Sequence, residues 1–360
     1  MNIYSNNYNL NNCTTPVWEG NISVNESFLP LYEKGSSEYN GVNIDLLYKA
    51  DEVICVKNAA LNIEYIEGKD FFLTDGGLFI PAASNIKITK WNEYNTKTVA
   101  DEVPFKIGCT YGGFLLFGST KEIIDRQYVV TYRHLDKWQG IIPIHKKGSL
   151  PLFHKKLKNH ESFTFGFLGD SITTGSNSSG RNNINIPPYI PSWPEVICET
   201  IEKDYSISVN YVNKAVGGTA SRWGADSVNL FSDNISDIFL IAFGMNDASG
   251  RVPKETFINN IKEIADKMIA LNPNVEFVVV STSLPNELAS EFYRDHAEHE
   301  ALLYKLAEQY GDKMVVAPVT GIHTELLKKK KYWDMTGNNV NHPNDYLSCV
   351  YAQTILSVII

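Results

Sequence analysis

The chain has 360 residues, is 43% hydrophobic, 12% aromatic and 20% charged, and carries a formal net charge of −9 at pH 7. That length suits two globular domains better than one. Asp and Glu total 41 against 32 Lys and Arg, which argues against a nucleic-acid partner, since that needs a basic face. No apolar run approaches the roughly 20 residues of a membrane span, so a membrane is not an expected partner either. The start, MNIYSNNYNLNNC, lacks the basic, apolar and small-residue regions of a signal peptide, so a cytoplasmic location is expected. Cys13, Cys55, Cys109, Cys198 and Cys349 lie far apart with no CxxC pair. Five reduced, packed thiols are expected, with neither a disulfide framework nor a structural zinc site.

From about Trp18 to Pro151 the sequence reads as short strands and turns. Residues 61–66 (LNIEYI) alternate apolar and polar, the period of a half-buried strand. Phe71-Phe72-Leu73 and Leu78-Phe79-Ile80 flank Thr74-Asp75-Gly76-Gly77, a hairpin signal. Gly112-Gly113, before Phe114-Leu115-Leu116-Phe117, predicts a second hairpin, and residues 128–132 (YVVTY) a β-branched and aromatic strand. No helical pattern exceeds two turns. Many short strands with turn signals predict an all-β sandwich or jelly roll. Residues 143–159, with two prolines and a lysine cluster, read as the junction, which divides the chain into 1–155 and 156–360.

Beyond about Phe163 the rhythm becomes strand, loop, helix. Strands are expected at 163–168, 209–212, 238–243, 275–281 and 314–317, with apolar runs of the kind found in a parallel sheet covered on both faces. Phe257, Ile261, Ile264, Met268 and Leu271 recur at helical spacing, and further helices are expected over 295–310 and from Asn344 to the C-terminus. Strands alternating with helices predict a doubly wound α/β domain.

In an open α/β sheet, function collects beyond the carboxyl ends of the strands. The loop after the first strand is Gly169-Asp170-Ser171-Ile172-Thr173. The second gives Asn213-Lys214-Ala215-Val216-Gly217-Gly218, the third Gly244-Met245-Asn246-Asp247, and the last loop Asn341-His342-Pro343. These residue types form a coherent set for acyl transfer. A serine hydroxyl needs a base within hydrogen-bond reach, and His342 is placed to be that base for Ser171. The backbone N–H groups of Ser171 and Gly218 and the side-chain amide of Asn246 would serve as three oxyanion donors.

These four blocks resemble those of the SGNH, or GDSL-type, hydrolases. Gly169-Asp170-Ser171 is similar to their nucleophile block, Asn213 and Gly218 to the block of the oxyanion glycine, Gly244-x-Asn246-Asp247 to that of the oxyanion asparagine, and His342-Pro343 to the base. The resemblance covers about 163–360. It implies an α/β SGNH hydrolase domain behind the all-β sandwich (jelly-roll-like) domain, an acyl-enzyme on Ser171, and no metal or organic cofactor. One position departs from the family's DxxHP pattern: Asn339 stands where the aspartate would be. Asn339 could orient His342 through its amide oxygen, a backbone carbonyl could do so and leave a Ser–His dyad, or Asp334 or Asp345 could stand in. The dyad with a carbonyl acceptor is the expectation. A β-domain ahead of such a site, with no family aspartate, also resembles bacterial carbohydrate esterases of the jelly-roll-plus-SGNH type. That implies a small-molecule or oligosaccharide ester as substrate, with acetyl the expected acyl group. Another small ester, or a carbohydrate-binding protein with vestigial catalysis, are the alternatives.

Other features read as structural. His296 and His299 are expected on a solvated charged helix face rather than in a metal site, because HExxH is absent. Residues 328–331, a four-lysine run, are expected in water at a helix C-terminus. Trp223 and Trp333 read equally as cleft-bordering rings or as packing. Met245 reads as packing.

Overall fold

The computed structural model describes residues 8–36, 40–98, 105–118, 120–181 and 183–360. A short helix α1 (Leu10–Thr14) opens the described chain. Seven strands follow: β1 (Ile22–Phe28), β2 (Gly41–Asp45), β3 (Ala50–Asn58), β4 (Glu64–Tyr65), β5 (Phe72–Leu73), β6 (Gly77–Pro81) and, after the single turn α2 (Trp91–Tyr94), β7 (Asn95–Thr96). Then come β8 (Phe114–Leu115), β9 (Tyr128–His134) and helix α3 (Pro151–Lys158). β9 lies between β1 and β3, antiparallel to both, with β4 beyond β3. The strands β2, β6 and β5 form a second antiparallel sheet, closed by the hairpin through Asp75-Gly76-Gly77. Period-2 burial explains the packing: in β2, Val42 and Ile44 point inward while Asn43 and Asp45 face water. Both sheets contribute to one apolar cluster, including Phe28, Ile44, Val56, Leu78, Ile80 and Val130. This is an all-β sandwich.

Two sequence expectations shift here. The strand expected over 61–66 shrinks to β4, because Leu61 takes a left-handed conformation (φ 58°) in the turn after β3. The junction expected over 143–159 contains a real helix: α3 starts with Pro151 in its first turn and buries Phe153 and Leu157.

The second half holds five parallel strands, β10 (Phe163–Gly169), β11 (Val209–Asn213), β12 (Ile238–Ala242), β13 (Glu276–Val280) and β14 (Met314–Ala317). Seven helices accompany them: α4 (Trp193–Tyr205), α5 (Ser221–Asp226), α6 (Met245–Ser249), α7 (Lys254–Leu271), α8 (His296–Tyr310), α9 (Val319–Leu327) and α10 (Asp345–Ile359). The sheet order is β11-β10-β12-β13-β14. The chain therefore turns to opposite sides of β10, and the switch point lies at its carboxyl end. The fold is a doubly wound α/β domain preceded by a β-sandwich. Among the described residues no helix is long and apolar enough to cross a membrane.

Two features join the halves. In α10 every residue except Asp345 and Ser357 is buried, as befits a helix that is apolar nearly all round. It packs against α1, α4, β13 and β14 and touches β1. The second feature is ionic. An irregularity in β1 between Ser23 and Glu26, with Asn25 at φ 50°, accompanies a Glu26 side chain turned fully inward. Its Oε1 accepts from Lys330 Nζ at 2.7 Å and from Leu47 N–H at 2.9 Å. Oε2 accepts from Tyr132 OH at 2.7 Å and Ser23 Oγ at 3.0 Å. Lys330 was expected in water; it is instead buried, with Asp334 at 3.8 Å as a second partner. Burial alone would lower its pKa, but Glu26 and Asp334 outweigh that and hold it above the ordinary lysine value.

Removing one partner of such a pair leaves a buried charge uncompensated. Lys330→Met is expected to lower unfolding stability by about 3–5 kcal/mol, and Glu26→Gln with Lys330→Met to recover part of it. Urea midpoints of the wild type, the single and the double variant check this. A silent Lys330→Met would show that the pair does not hold the halves together.

Candidate active site

Ser171 lies two residues beyond β10, at the switch point of the sheet. The chain after it curls back on itself. Ser171 C=O accepts from Ser176 N–H at 3.0 Å and Thr174 Oγ1 at 2.7 Å, and Asp170 Oδ1 accepts from Ile172 N–H at 2.9 Å. Trp193 Nε1 ties the same turn to α4 through Ile172 C=O, and Asn213 Nδ2, from the last residue of β11, reaches Thr173 C=O. The serine side chain is thus fixed from below and reaches the surface with 8% exposure.

His342 meets it. Ser171 Oγ lies 2.8 Å from His342 Nε2, and His342 Nδ1 lies 2.7 Å from Asn177 Oδ1. The Asn177 amide is held the right way round, because its Nδ2 donates to Gly337 C=O at 3.1 Å. Its Oδ1 therefore accepts from Nδ1–H, which leaves Nε2 as the unprotonated nitrogen facing the serine hydroxyl. Glycine is required at 337, since a Cβ there would lie 2.4 Å from the Asn177 Cβ. Burial pushes the His342 pKa down to about 4, so the ring is neutral near pH 7.

Asn177 was not among the sequence candidates. It stands in Thr173-Thr174-Gly175-Ser176-Asn177 and takes the left-handed conformation at φ 68°, which asparagine tolerates. The turn-rich composition after Ser171 signals a reversal, but nothing in it says which side chain the reversal aims at His342.

The expected orienting groups lie elsewhere. Asn339 is fully buried and turned from the imidazole: its Oδ1 accepts from Tyr94 OH at 2.8 Å and Asn286 Nδ2 at 3.1 Å, and its Nδ2 donates to Leu116 C=O at 2.9 Å. Its φ of 67° belongs to the turn approaching His342. Asp334 binds Lys330 and the N–H groups of Leu29 and Lys331, and Asp345 accepts from Ser179 N–H. The expected backbone carbonyl is corrected too, because a side-chain amide occupies that place.

Of the three expected oxyanion donors, one is the N–H of Ser171 itself, and the other two, Gly218 and Asn246, follow the neighbouring strands β11 and β12. The loop after β11 brings Gly217 against the serine, where a Cβ on it would lie 3.7 Å from the Ser171 Cβ. Gly218 takes φ 78°, a conformation that favours glycine, and it is exposed together with Val216 and Gly217. Among the described residues neither Ser171 N–H nor Gly218 N–H is used by another protein group. Asn246, in the first turn of α6, donates one Nδ2 hydrogen to Thr219 C=O at 2.8 Å, which keeps its amide beside Gly218 and leaves the second hydrogen free. Asp247 holds the next layer, accepting from Ser221 N–H and Oγ.

His296 and His299 are corrected from a solvated face to the interior, at 0% and 1% exposure. His296 Nε2 lies 3.1 Å from Met245 C=O, and its Nδ1 accepts from Arg294 N–H at 3.3 Å. Burial lowers its pKa to about 4, so this neutral ring braces the turn that carries Asn246. His299 stacks on Phe257 with centroids 4.1 Å apart. Met245 is fully buried. Trp223 packs on the α7-side core, and Trp333 meets Tyr94 edge-on at 5.4 Å. Among the described residues no three His, Cys, Asp or Glu side chains converge on a metal-sized site.

The chain is similar to several solved structures and to one protein family. A two-domain esterase active on acetylated mannans, solved with mannopentaose, aligns at TM-score 0.45 and 22% identity over 57% of this chain and 52% of that one. The match thus spans about half of that esterase's length. A G-D-S-L family lipolytic protein from Veillonella parvula aligns at TM-score 0.43 and 17% identity over 54% of this chain and 97% of that one. A mutant acetylxylan esterase from Geobacillus stearothermophilus aligns at TM-score 0.44 and 14% identity over 54% of this chain and 92% of that one. No curated protein matches the sequence. The GDSL-like lipase/acylhydrolase family matches residues 167–346, half of the chain and the stretch that carries Ser171, Gly218, Asn246 and His342, and the chain belongs to that family.

Proposed function

We propose that the protein is a serine esterase that removes short acyl groups, acetyl above all, from a carbohydrate. The observation that carries the reading is the hydrogen-bond chain Ser171 Oγ–His342–Asn177 at the switch point of the sheet. Ser171 Oγ attacks the ester carbonyl while His342 Nε2 takes its proton. Asn177 keeps Nδ1 protonated and stabilises the ring as it becomes charged. The oxyanion is met by Ser171 N–H, Gly218 N–H and the free Asn246 hydrogen. The tetrahedral adduct collapses to an acyl-enzyme as His342 returns the proton to the leaving alcohol. Water, activated by the same nitrogen, then releases the acid. All of these roles fall to side chains and backbone of this chain.

The substrate class rests on the rim. Ser171 stands beside exposed backbone at Val216, Gly217 and Gly218. The cavity of about 280 Å³ behind α10 is lined by neither Ser171 nor His342, so it does not receive the acyl group. A nucleophile in that setting suits a small acyl group on a bulky polar alcohol. Hydrolysis rates on acetylated oligosaccharides against p-nitrophenyl esters of rising chain length test this. A preference for long acyl chains would replace the carbohydrate reading with a lipase or thioesterase.

Ser171→Ala is expected to abolish hydrolysis and fluorophosphonate labelling while the fold persists. Near-native turnover by a purified variant would remove Ser171 from the mechanism. Asn246→Ala should lower kcat by about 10²–10³ with little change in KM, because its donor acts mainly in the transition state.

The pH dependence follows from burial of the base. His342 works unprotonated, so the acidic limb of kcat/KM should lie near pH 4 rather than at the ordinary histidine value, with activity retained at pH 5. Asn177→Asp would place an ionised carboxylate against Nδ1–H, raise the His342 pKa and move that limb to higher pH. Asn177→Ala should cost about 10²–10⁴ in kcat, the range in which loss of an orienting group falls. A pH–rate profile for the three proteins checks both. A limb that stays put in Asn177→Asp would show that Asn177 does not face the base.

A further inference from the structure

We infer that Gln127 and Tyr94, both in the β-sandwich half, are positioning residues for the base, so that the sandwich is part of the catalytic apparatus rather than an appended module. The inference rests on the proposed role of His342.

The stretch from Trp333 to Asn344 forms a narrow loop that presents His342 at its far end. Within itself it is closed by several bonds: Gly337 N–H and Thr336 Oγ1 both donate to His342 C=O, Asn338 Oδ1 accepts from the N–H groups of Val340, Asn341 and His342, Asn339 N–H donates to Thr336 Oγ1, and Asn344 N–H donates to Met335 C=O. Much of its attachment comes from the other half of the protein. Gln127, immediately before β9 and 3% exposed, spends both amide hydrogens on it, donating to Trp333 C=O at 2.9 Å and Thr336 C=O at 2.8 Å. Its Oε1 accepts from Asn344 Nδ2 at 3.1 Å, so one side chain spans the two ends of the loop. Ser27 Oγ, in β1, donates to Asp334 C=O and accepts from Asn344 Nδ2.

Tyr94 holds the tip. It is fully buried, and its OH donates to Asn339 Oδ1 and lies 3.2 Å from Asn286 Nδ2, which also donates to Asn339 C=O at 2.8 Å. The same Asn339 donates to Leu116 C=O beyond β8. The residue at the family's aspartate position therefore binds the sandwich instead of the imidazole, three residues before the base. Neither Gln127 nor Tyr94 bonds to His342, Ser171 or Asn177, so each acts only through the loop.

The Ser171 Oγ–Nε2 and Nδ1–Asn177 bonds are met at once only if the ring stands at one height and tilt. Displacement of a catalytic group by about 1 Å can cost 10²-fold. The test uses the full chain and two variants. Tyr94→Phe removes one oxygen and no packing volume. Gln127→Leu keeps the bulk but strips two buried carbonyls of their donor. Each should lower kcat by about 10- to 100-fold with KM little changed. Each should also raise the acidic limb of the pH profile from about 4 toward the ordinary histidine value, as a loosened ring gains solvent. Wild-type kcat and limb in both variants would overturn the inference, as would a lowered melting temperature with the limb unmoved. If Gln127→Leu does not fold, Tyr94→Phe decides. His342→Ala is measured alongside: if it stays active, the proposed function fails, whereas an inactive His342→Ala beside wild-type-like Tyr94→Phe and Gln127→Leu rejects this inference alone.

Discussion

The site depends on keeping one neutral imidazole wedged between a hydroxyl and an amide. His342 has Ser171 Oγ at 2.8 Å on one nitrogen and Asn177 Oδ1 at 2.7 Å on the other. A carboxylate in the place of Asn177 would stabilise the imidazolium, and an unpaired Nδ1–H would let the ring turn. An amide does something between these: it fixes tautomer and tilt while adding no charge. Burial lowers the imidazole pKa to about 4, and the neutral acceptor lacks the charge by which a carboxylate would raise it again. The amide can do this only because its own hydrogen is engaged by Gly337 C=O, and that contact requires a residue without a Cβ at 337.

The rest of the architecture serves that wedge from three directions. The sheet order puts the carboxyl end of β10 between the loops of β11 and β12, so nucleophile, glycine and amide donors arrive from three adjacent strands. His342 comes from the loop between α9 and α10, beyond the edge strand β14, and that loop is hydrogen-bonded to the sandwich through Gln127. One apolar cluster includes Phe28 and Tyr132 from the sandwich together with Phe165, Trp193 and Tyr351 from the α/β half. The Glu26–Lys330 pair lies in the same interior and fixes how β1 meets the start of the base loop. A buried pair is weak evidence for net stability, but it punishes misalignment, because any slip leaves a charge alone in a low-dielectric interior.

What was legible in the sequence was whatever sits directly against a strand end. Ser171, Gly218 and Asn246 each follow a recognisable apolar run by a few residues, and His342 precedes an apolar helix, so order and spacing were enough to nominate them for the candidate site. Asn177 was not legible because its role depends on the path of a reversal through Gly175, set by tertiary hydrogen bonds rather than by a local pattern. Asn339 misled for a related reason: spacing suggested a partner for the base, but a left-handed turn points its side chain into the sandwich. Lys330 and the His296/His299 pair failed on another ground. Polar residues at helix ends and faces are solvated by default, and only a partner from a distant segment, Glu26 or Met245 C=O, makes their burial tolerable. The hairpin signal was sound for β5 and β6, while the short β4 was over-read because a positive φ at Leu61 leaves no local signature.

Beneath the site lie two buried carboxylates that the chemistry does not use directly. Asp170 precedes the serine and Asp247 follows Asn246, and each accepts backbone N–H bonds that shape its loop. Desolvation raises both pKa values, Asp170 to about 7, and Asp247 adds to that rise by like-charge repulsion. In the proposed mechanism a full negative charge beside Ser171 would oppose the oxyanion. Desolvation of Asp170 disfavours that charge while the carboxyl still accepts from Ile172 N–H. Burial thus acts in one sense on the imidazole and on both carboxyls, disfavouring the charged form of each in the loops around Ser171.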